Sequence, residues 1–548
     1  MKNRNNSMLA SFRQTANRLI LLPKKWTLLL ALIIGAVSAL GQAPFHFFPL
    51  LWITFPFLVL LLDGAVPSIE SRGLSRIMPA FWIGYSFGFG YFVAGLWWLG
   101  SAFLVNAETF AWLLPLAVIG LPLLLALFFG LATAFARVFW QDGWGRVIIL
   151  AASLSFFEWL RGTILTGFPW NTLGYILAPN DVMMQAISLV GIYVYGFLAV
   201  LIFATPVLIF DPPDERPNSN KTFFFAISTL LVTLIGFGGL RLSEAKDEFV
   251  TDVQLRIIQP NIPQKDKFKP EKAKEIVERY LDMSARSTRP GDLGLLSTTH
   301  LIWPESAFPF FLTEQPSVLS AIDKLLPTGT TLLTGAVRAA PKRAGQQSRE
   351  VYNSLYTISH TGVIQDAYDK VHLVPFGEYL PFQDILESFG LLALVETPGG
   401  FSAGSRRRTV ETTNAPPFLP MICYEIIFPF QVNSENKSKK AEWILNVTND
   451  AWFGLTPGPR QHFHQTKIRA VDEGLPVVRA ANNGISAVID GYGRVKQSLR
   501  LGESGIIDAK LPVKVVLLSN SDIKQLLFWI TFFSSIILVY VKNLINRR

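Results

Sequence analysis

The chain has 548 residues, of which 50% are hydrophobic and only 16% are charged, so it is long enough for more than one domain and too apolar to be wholly soluble. The formal net charge of +9 does not indicate nucleic-acid binding, because the basic residues do not alternate with aromatic residues and several lie beside apolar runs. The single cysteine excludes an intramolecular disulfide and leaves too few sulfur ligands for a structural zinc site.

Long apolar runs dominate the first half of the chain, and one more lies near its end. Most approach the ~20 residues that a helix needs to cross a bilayer, although the run at 147–160 is short and ends in the polar segment Glu158 to Arg161. They predict about eight membrane helices, about seven of them before residue 242. The runs lie at 27–45, 46–62, 79–104, 111–136, 147–160, 184–210, 222–240 and 517–541.

Basic residues at both ends of the chain predict its orientation. The positive-inside rule places such ends in the cytoplasm, and seven crossings before residue 242 then put residues 242–516 outside the cytoplasm. We therefore expect a transmembrane domain at 1–241, a domain outside the cytoplasm at 242–516, and a C-terminal membrane helix with a cytoplasmic tail at 517–548. The basic residues include Lys2, Arg4, Arg13, Arg18, Lys542, Arg547 and Arg548.

A group of glycines lies within the third apolar run. No strand precedes them, so the spacing indicates close packing of small residues between helices and not a nucleotide-binding loop. The glycines are Gly84, Gly88, Gly90 and Gly95.

Residues 251–511 have a different character from the membrane segments. Short runs rich in β-forming residues alternate with helical stretches or stretches rich in glycine and proline, which predicts a soluble α/β domain. The clearest strand candidates are Val253 to Ile258, Thr331 to Val337, Phe418 to Cys423 and Trp443 to Val447.

Three segments of this domain carry candidate chemistry. Cys423 follows a strand-like run, and a lone cysteine is more often a small buried hydrophobic residue than a nucleophile. Glu305 ends the β-like segment Leu-Ile-Trp-Pro-Glu-Ser, where apolar neighbours would raise its pKa toward that of a general base. Lys370 lies with a histidine and a carboxylate in an apolar stretch and could stabilise an oxyanion. The two additional segments favour the chemical interpretation of the thiol.

Glu305, Lys370 and Cys423, in that order within WPES, DKVHLVPFGE and CYE, resemble the Glu-Lys-Cys triad of the nitrilase superfamily, whose members fold as an αββα sandwich. Because membrane helices flank the domain, the chain resembles in particular the membrane-embedded branch, the apolipoprotein N-acyltransferases. The segment Glu158 to Gly162, followed by Phe-Pro-Trp, is similar to that branch's membrane-face loop, while anchoring of tryptophan at the membrane interface explains its aromatic residues equally well. The sequence departs from the family at Phe268, where tryptophan is usual.

The resemblance implies a multi-helix transmembrane domain in a bacterial inner membrane, joined to a nitrilase-like catalytic sandwich at 242–516 on the periplasmic side. It also implies phospholipid-dependent N-acylation of the α-amine of the S-diacylglyceryl N-terminal cysteine of apolipoproteins. By the family's pattern Glu305 takes the thiol proton and Cys423 attacks the sn-1 ester of a phospholipid, such as phosphatidylethanolamine, to form a thioester. Lys370 and the backbone N–H of Tyr424 would hold the oxyanion. No cofactor, metal or nucleic acid is implied.

The same resemblance suggests supporting roles around the triad. Glu378 and Glu425 would orient Lys370 and support the pocket, with a structural ion pair as the alternative. Trp452 and Phe453 would line the acyl channel, or would simply pack in the core. Phe268 would keep an aromatic contact at the site's lid.

Two other functions remain open at this stage. A membrane-tethered amidase or nitrilase would use the same triad but pass the acyl group to water, and the large membrane half disfavours this alternative because one anchor would suffice. A transporter or assembly scaffold with a vestigial domain is disfavoured by the intact Glu-Lys-Cys set and by membrane helices without the paired charges of a proton-coupled pump.

Overall fold

The computed structural model of the chain divides into two compact units. The first comprises Met1–Leu99, Pro115–Glu244 and Leu518–Arg548, and the second comprises Gly100–Leu114 and Ala245–Leu517. The stretch Gly100–Leu114, which the sequence assigned to the transmembrane domain, therefore groups with the second unit. The described residues are 13–68, 70–211, 217–288, 291, 293–342, 349–381, 383, 400–429 and 440–547. Lys2, Arg4 and Arg548, on which the orientation prediction draws, lie outside them.

The first unit consists of apolar helices. Within the described ranges, six helical segments are long and apolar enough to cross a membrane: Lys24–Gly41, Met78–Leu104, Ala107–Val138, Ile187–Phe210, Asn218–Ser243 and Ser521–Ile545. A shorter apolar helix, Phe48–Asp63, overlaps the predicted run at 46–62. The α-helices are α1 (Lys24–Ser38), α2 (Leu51–Asp63), α3 (Met78–Leu96), α4 (Leu121–Val138), α5 (Trp144–Arg161), α6 (Ile187–Ala204), α7 (Pro217–Ser243) and the C-terminal helix (Ser521–Arg547).

Glycines allow α3 to pack closely against two neighbours. A Cβ atom on Gly90 would lie 2.0 Å from the carbonyl oxygen of Leu32 in α1, and one on Gly84 would lie 2.0 Å from Thr133 Oγ1 in α4. Any side chain at these positions would force the helices apart, so the predicted packing of small residues is confirmed.

The second unit contains two sheets of six strands each. In the first sheet the strand order is β12-β1-β2-β3-β4-β5, with β1, β2 and β3 parallel. In the second the order is β11-β10-β9-β8-β7-β6, with β7, β8 and β9 parallel. The strands are β1 (Phe249–Gln259), β2 (His300–Trp303), β3 (Thr331–Ala339), β4 (Val351–Ile358), β5 (Ile364–Asp369), β6 (Val410–Thr412), β7 (Ala415–Ile422), β8 (Trp443–Thr448), β9 (Val477–Ala481), β10 (Ala487–Ile489), β11 (Val495–Ser498) and β12 (Gly505–Pro512).

Alternating side chains build the two faces of the first sheet. Ile302 of β2 and Leu333 of β3 pack with Leu445 and Val447 of the second sheet, forming the interior of the sandwich. Their neighbours point to the other face, because successive side chains on a strand alternate. That outer face packs against Tyr280 and other apolar residues of helix α8 (Ala273–Ala285).

Further helices complete the layers. Helix α9 (Pro316–Leu325) packs on the outer face of the first sheet through Ile322, and helix α10 (Pro457–Glu473) contacts β9 of the second sheet. Helices outside two facing sheets form the αββα sandwich, so the predicted fold class is confirmed. In open α/β sheets, sites commonly form beyond the carboxyl ends of parallel strands. The side chains that follow β2 in the first sheet, and β7 and β8 in the second, occupy such positions.

Candidate active site

Cys423 lies in a strained turn directly after β7. Its φ is +53°, in the left-handed region that residues with a side chain rarely adopt. The carboxylate of Glu425 stabilises the turn, because Oε2 accepts from the backbone N–H of Ile422 at 2.9 Å. Its other oxygen, Oε1, accepts from the N–H groups of Val371 and His372 at 3.0 Å each. Glu425 thus joins the turn of Cys423 to the segment that carries Lys370.

Lys370 directly follows β5 and is bound by Glu378. Its Nζ lies 2.9 Å from Glu378 Oε1 and 2.8 Å from Oε2, and both side chains are buried. Glu378 is held in turn by the backbone N–H of Val374, which donates to Oε2 at 2.8 Å. Charged pairs in a water-poor interior need such additional hydrogen bonds. The lysine is therefore fixed in position, and the carboxylate of Glu378 balances its positive charge.

Glu305 lies just beyond the end of β2 and is also buried. Asn353 Nδ2 donates to Glu305 Oε1 at 2.7 Å and to Glu378 Oε1 at 3.0 Å, so one amide bridges the two carboxylates. Behind Glu305 runs the backbone of β3, where a Cβ on Gly335 would lie 2.5 Å from the Glu305 Cα. Only glycine at this position lets the peptide of Glu305 lie against the strand.

The three triad residues act on one another electrostatically. Burial raises the pKa of the Cys423 thiol to about 12; the negative charge of Glu305 raises it further and Lys370 opposes the shift. Burial also raises the pKa of Glu305, while Lys370 lowers it. For Lys370, burial lowers the pKa but the carboxylate of Glu378 and the other negative groups hold it above its ordinary value. The cluster therefore pairs a permanently charged cation with a thiol and a carboxyl whose proton affinities are both raised.

Lys267 and Asn353 belong to this cluster and were not predicted from the sequence. The ammonium of Lys267 donates to the backbone carbonyl of Glu305 at 2.8 Å, and its side chain is 0% exposed. Burial lowers the pKa of Lys267 to about 7, against the opposing charges of Glu305 and Cys423. Neither residue has a distinguishing sequence signal, since Lys267 lies in a run of charged residues and Asn353 is a single polar residue in a strand.

A second buried polar network lies behind Cys423. His462 Nε2 is 3.2 Å from the Cys423 carbonyl oxygen, and His462 Nδ1 is 2.9 Å from Asp450 Oδ1. Arg479 donates to Asp450 Oδ2 at 2.8 Å and to the side-chain oxygen of Asn446. Asn446 donates to the carbonyls at the end of β7, including that of Met421 at 2.8 Å. The network fixes the backbone that carries the Cys423 side chain.

The remaining predicted residues lie near these elements. The ring of Tyr424 is buried and meets Phe428 edge-on at 4.8 Å between centroids. Trp452 and Phe453 lie half-buried in the short 3-10 helix Asp450–Phe453 that follows β8. Phe268 is 43% exposed and directly follows Lys267. A half-buried position fits either interpretation of Trp452 and Phe453, so their roles in lining the acyl channel or in packing the core stay predictions.

The polar segment at the end of α5 forms a different kind of arrangement. Glu158 Oε1 accepts from the backbone N–H of Leu173 at 2.9 Å, and Arg161 donates to the carbonyl oxygens of Phe168 and Trp170. The two charges approach each other only to 3.9 Å. They therefore tie the loop 162–172 to the helix.

No group of three or more His, Cys, Asp or Glu residues is arranged to hold a metal ion within the part of the chain that the structure describes. What the cluster does contain is a thiol, two carboxyl groups and two ammonium groups in a buried setting. A carboxylate with a raised pKa is suited to accept a thiol proton, and a fixed ammonium is suited to stabilise an oxyanion. This combination fits nucleophilic acyl transfer through sulfur.

Comparison with known proteins identifies the family of the chain. Residues 34–205 match the family described as apolipoprotein N-acyltransferase N-terminal domain, and residues 254–517 match the carbon-nitrogen hydrolase family. The apolipoprotein N-acyltransferase of Rhodopseudomonas palustris is 47% identical over 486 residues, which are 89% of each chain. That of Bradyrhizobium diazoefficiens is 46% identical over 510 residues, 93% of this chain and 94% of the relative.

Among solved structures, an amidase from Nesterenkonia is 17% identical and superposes with a TM-score of 0.33, covering 49% of this chain and 93% of the amidase. The identity, coverage and domain matches to the curated relatives are what establish the family. The chain belongs to the apolipoprotein N-acyltransferase family and is a membrane-embedded acyltransferase with a carbon-nitrogen hydrolase domain.

Proposed function

We propose that this enzyme N-acylates the α-amine of the S-diacylglyceryl N-terminal cysteine of apolipoproteins, with a phospholipid such as phosphatidylethanolamine as acyl donor and Cys423 as the covalent carrier. The relatives that cover about nine-tenths of the chain bear the name apolipoprotein N-acyltransferase. The observation that carries the proposed mechanism is the network of contacts among the three residues. Glu425 joins the turn of Cys423 to the segment of Lys370. Asn353 bridges Glu305 to Glu378, the partner of Lys370.

In the first half-reaction the Cys423 proton moves to Glu305 and the sulfur attacks the sn-1 ester carbonyl. The tetrahedral oxyanion is held by the Lys370 ammonium and the backbone N–H of Tyr424. Glu305 then returns its proton to the leaving alkoxide, the C–O bond breaks, and the lysophospholipid departs from the thioester. The thioester preserves the acyl group for a second acceptor.

In the second half-reaction the apolipoprotein amine attacks the thioester. A terminal α-amine has an ordinary pKa near ~8, so a substantial fraction is unprotonated at neutral pH and no metal is needed to activate it. Glu305 accepts the proton that the amine loses, the C–S bond breaks, and the Cys423 thiolate recovers a proton from Glu305. The products are an amide and free enzyme.

We also propose that the enzyme lies in the bacterial inner membrane with residues 242–516 in the periplasm. Both lipid substrates hold their acyl chains in the bilayer, so a site at the membrane surface meets them by lateral diffusion. Basic residues at both chain ends support this orientation. An alkaline phosphatase fusion after residue 513 tests it, since periplasmic enzyme activity is expected and its absence would contradict the assignment.

Intact-protein mass spectrometry tests the chemistry directly. Wild type and Cys423→Ala, both in mild detergent, are incubated with phosphatidylethanolamine, and a hydroxylamine-labile mass increase of one acyl group is expected on wild type alone. Addition of a diacylglyceryl-modified lipopeptide should then remove the added mass and produce an N-acyl lipopeptide. Release of free fatty acid without lipopeptide acylation would indicate a hydrolase, and no adduct on wild type with bound lipid would refute the thioester.

A further inference from the structure

Lys267 is a buried cation beside the triad that the proposed mechanism does not use. Its ammonium contacts the Glu305 carbonyl oxygen at 2.8 Å and experiences the charges of Glu305 and Cys423. Lysine is almost never fully buried unless it is paired. A position of this kind therefore calls for a physical explanation beyond ordinary packing.

The charges of the cluster balance when Lys267 is included. Glu378 is bound directly by Lys370 at 2.8 Å, and the charge of Glu305 is opposed first by Lys370 and then by Lys267, so the two carboxylates face two ammonium groups. Asp450 also acts on Cys423, but Arg479 binds its carboxylate at 2.8 Å. When the thiol proton moves to Glu305, the negative charge moves to sulfur and the balance is preserved. Without Lys267 the cluster would hold an uncompensated buried negative charge.

The hydrogen bond of Lys267 also fixes the backbone at the general base. The preceding carbonyl, that of Pro304, accepts from the N–H of Gly335 at 3.2 Å, and the carbonyl of Glu305 accepts from Lys267. The next residue, Ser306, has a φ of +49°. Two successive carbonyls are thus held on either side of the Glu305 side chain, in a backbone conformation that needs such support.

We propose that Lys267 is a positioning residue for acyl transfer, which fixes the peptide that carries Glu305 and, as an ammonium ion, lowers the free-energy cost of forming the Cys423 thiolate. The proposal rests on the proposed function in that Cys423 is taken as the nucleophile. A thiolate is stabilised by a nearby cation, most strongly where water is excluded.

The coupling between Lys267 and Cys423 is reciprocal, since the free energy by which one charge favours the other is shared by both. The other ionisable groups that act on the thiol are Glu305, Lys370 and Asp450. Burial lowers the pKa of Lys267 to about 7. The ammonium is therefore present below that pH and is lost above it, so its effect on the thiol must fade as pH rises through neutrality.

Alkylation of the single cysteine by iodoacetamide tests the proposal without any lipid. The full chain in detergent is compared with Lys267→Gln, which keeps an N–H donor but removes the charge, and with Lys267→Met, which removes both. Lys265→Gln is the matched control, because Lys265 is an exposed lysine in the same short helix. Rates are measured by intact mass from pH 6 to 9, with thermal unfolding recorded on the same samples.

Both Lys267 variants should alkylate about tenfold more slowly than wild type near pH 6, with a difference that narrows above pH 8, while Lys265→Gln stays within about twofold. Equal rates for wild type and Lys267→Gln, or an equal slowing in Lys265→Gln, would overturn the proposal. Should Lys267→Gln fail to fold, Lys267→Met decides by the same comparison with wild type near pH 6. Equal alkylation rates for wild type and folded Lys267→Met would overturn the proposal.

Since no acyl donor is present, this result is independent of the thioester test. A wild type that forms no thioester but shows the expected alkylation profile would refute the proposed function and leave the role of Lys267 in thiolate formation standing. A wild type that forms the thioester, together with equal alkylation rates for wild type and Lys267→Gln, would refute only the proposed role of Lys267.

Discussion

Two buried ion pairs, one in each compact unit, use the same kinds of charge in different ways. Glu158 and Arg161 approach to 3.9 Å and direct their hydrogen bonds to backbone groups of the following loop. Lys370 and Glu378 are in contact at 2.8 Å, and the lysine also interacts with Cys423 and Glu305. A buried charged pair therefore does not by itself identify a catalytic site. The feature that separates the two pairs is a nucleophile within electrostatic reach.

Removing the general base should have the largest effect. Glu305→Gln keeps the size of the side chain but cannot accept the thiol proton, so thioester formation should fall by about 10²–10⁴-fold. The rate of gain of hydroxylamine-labile mass measures this loss. Because burial already disfavours the charged carboxylate, the unfolding temperature should not decrease. A variant that forms thioester at the wild-type rate would remove Glu305 from the mechanism.

Breaking the Lys370–Glu378 ion pair should affect both activity and stability. Glu378→Gln leaves Lys370 with a weaker partner in a buried site, which should destabilise the fold by about 3 kcal/mol and slow thioester formation by at least about tenfold. Chemical unfolding in detergent and the thioester assay measure the two effects. Glu314→Gln is a suitable control, because Glu314 forms an exposed ion pair with Arg349. Normal activity in a destabilised Glu378→Gln protein would make this pair purely structural, like Glu158 and Arg161.

The raised pKa of Glu305 predicts the acidic limb of the pH profile. The carboxyl group must be ionised to accept a proton, and burial raises its pKa above the ordinary value of 4.5. As pH falls through that raised pKa, the rate of thioester formation should decrease, approaching about tenfold per pH unit. Single-turnover rates from pH 4 to 8 locate the midpoint. A midpoint at or below 4.5 would contradict the assignment of Glu305 as the base.

Breaking the pair in the first unit should have the smallest effect on the thiol. Arg161→Met leaves Glu158 without its cation and the loop carbonyls without their donor, so stability should fall by about 3 kcal/mol. The alkylation rate of Cys423 in the folded protein should remain within about twofold of wild type. Arg72→Met, at an exposed position, serves as the control for loss of one positive charge. A shifted pH profile in Arg161→Met would show that the two pairs are coupled.

The fold class could be predicted because its signals are long or repeated. Apolar runs of membrane length, and strand-forming runs separated by turns, are each defined by many residues, so no single residue decides their assignment. The fine boundaries could not be predicted from hydropathy. The stretch Gly100–Leu114 contains the end of one apolar run and the beginning of the next, yet it groups with the second unit.

Glu305, Lys370 and Cys423 could be predicted as site residues because each lies in a recognisable sequence segment. Lys267 could not be predicted in this way. Lys265, Lys267 and Lys269 follow one another at alternate positions, and only the second is buried. The direction in which a four-residue helix points its side chains is decided by tertiary packing and not by composition. Asn353 was missed for a related reason, because both faces of the middle of β4 are buried and a polar residue there has no distinguishing pattern.

The water-poor surroundings of the Cys423 thiol have a consequence for covalent inhibitors. A thiol whose pKa is raised to about 12 reacts slowly, although measurably, with electrophiles that require a preformed thiolate, such as iodoacetamide. An electrophile whose carbonyl oxygen accepts a hydrogen bond from Lys370 would instead be polarised at its carbonyl carbon, as proposed for the substrate ester, and would not require a preformed thiolate. Selectivity among cellular thiols would then come from shape and hydrogen bonding at the warhead, and the chain's single cysteine would make target engagement simple to quantify.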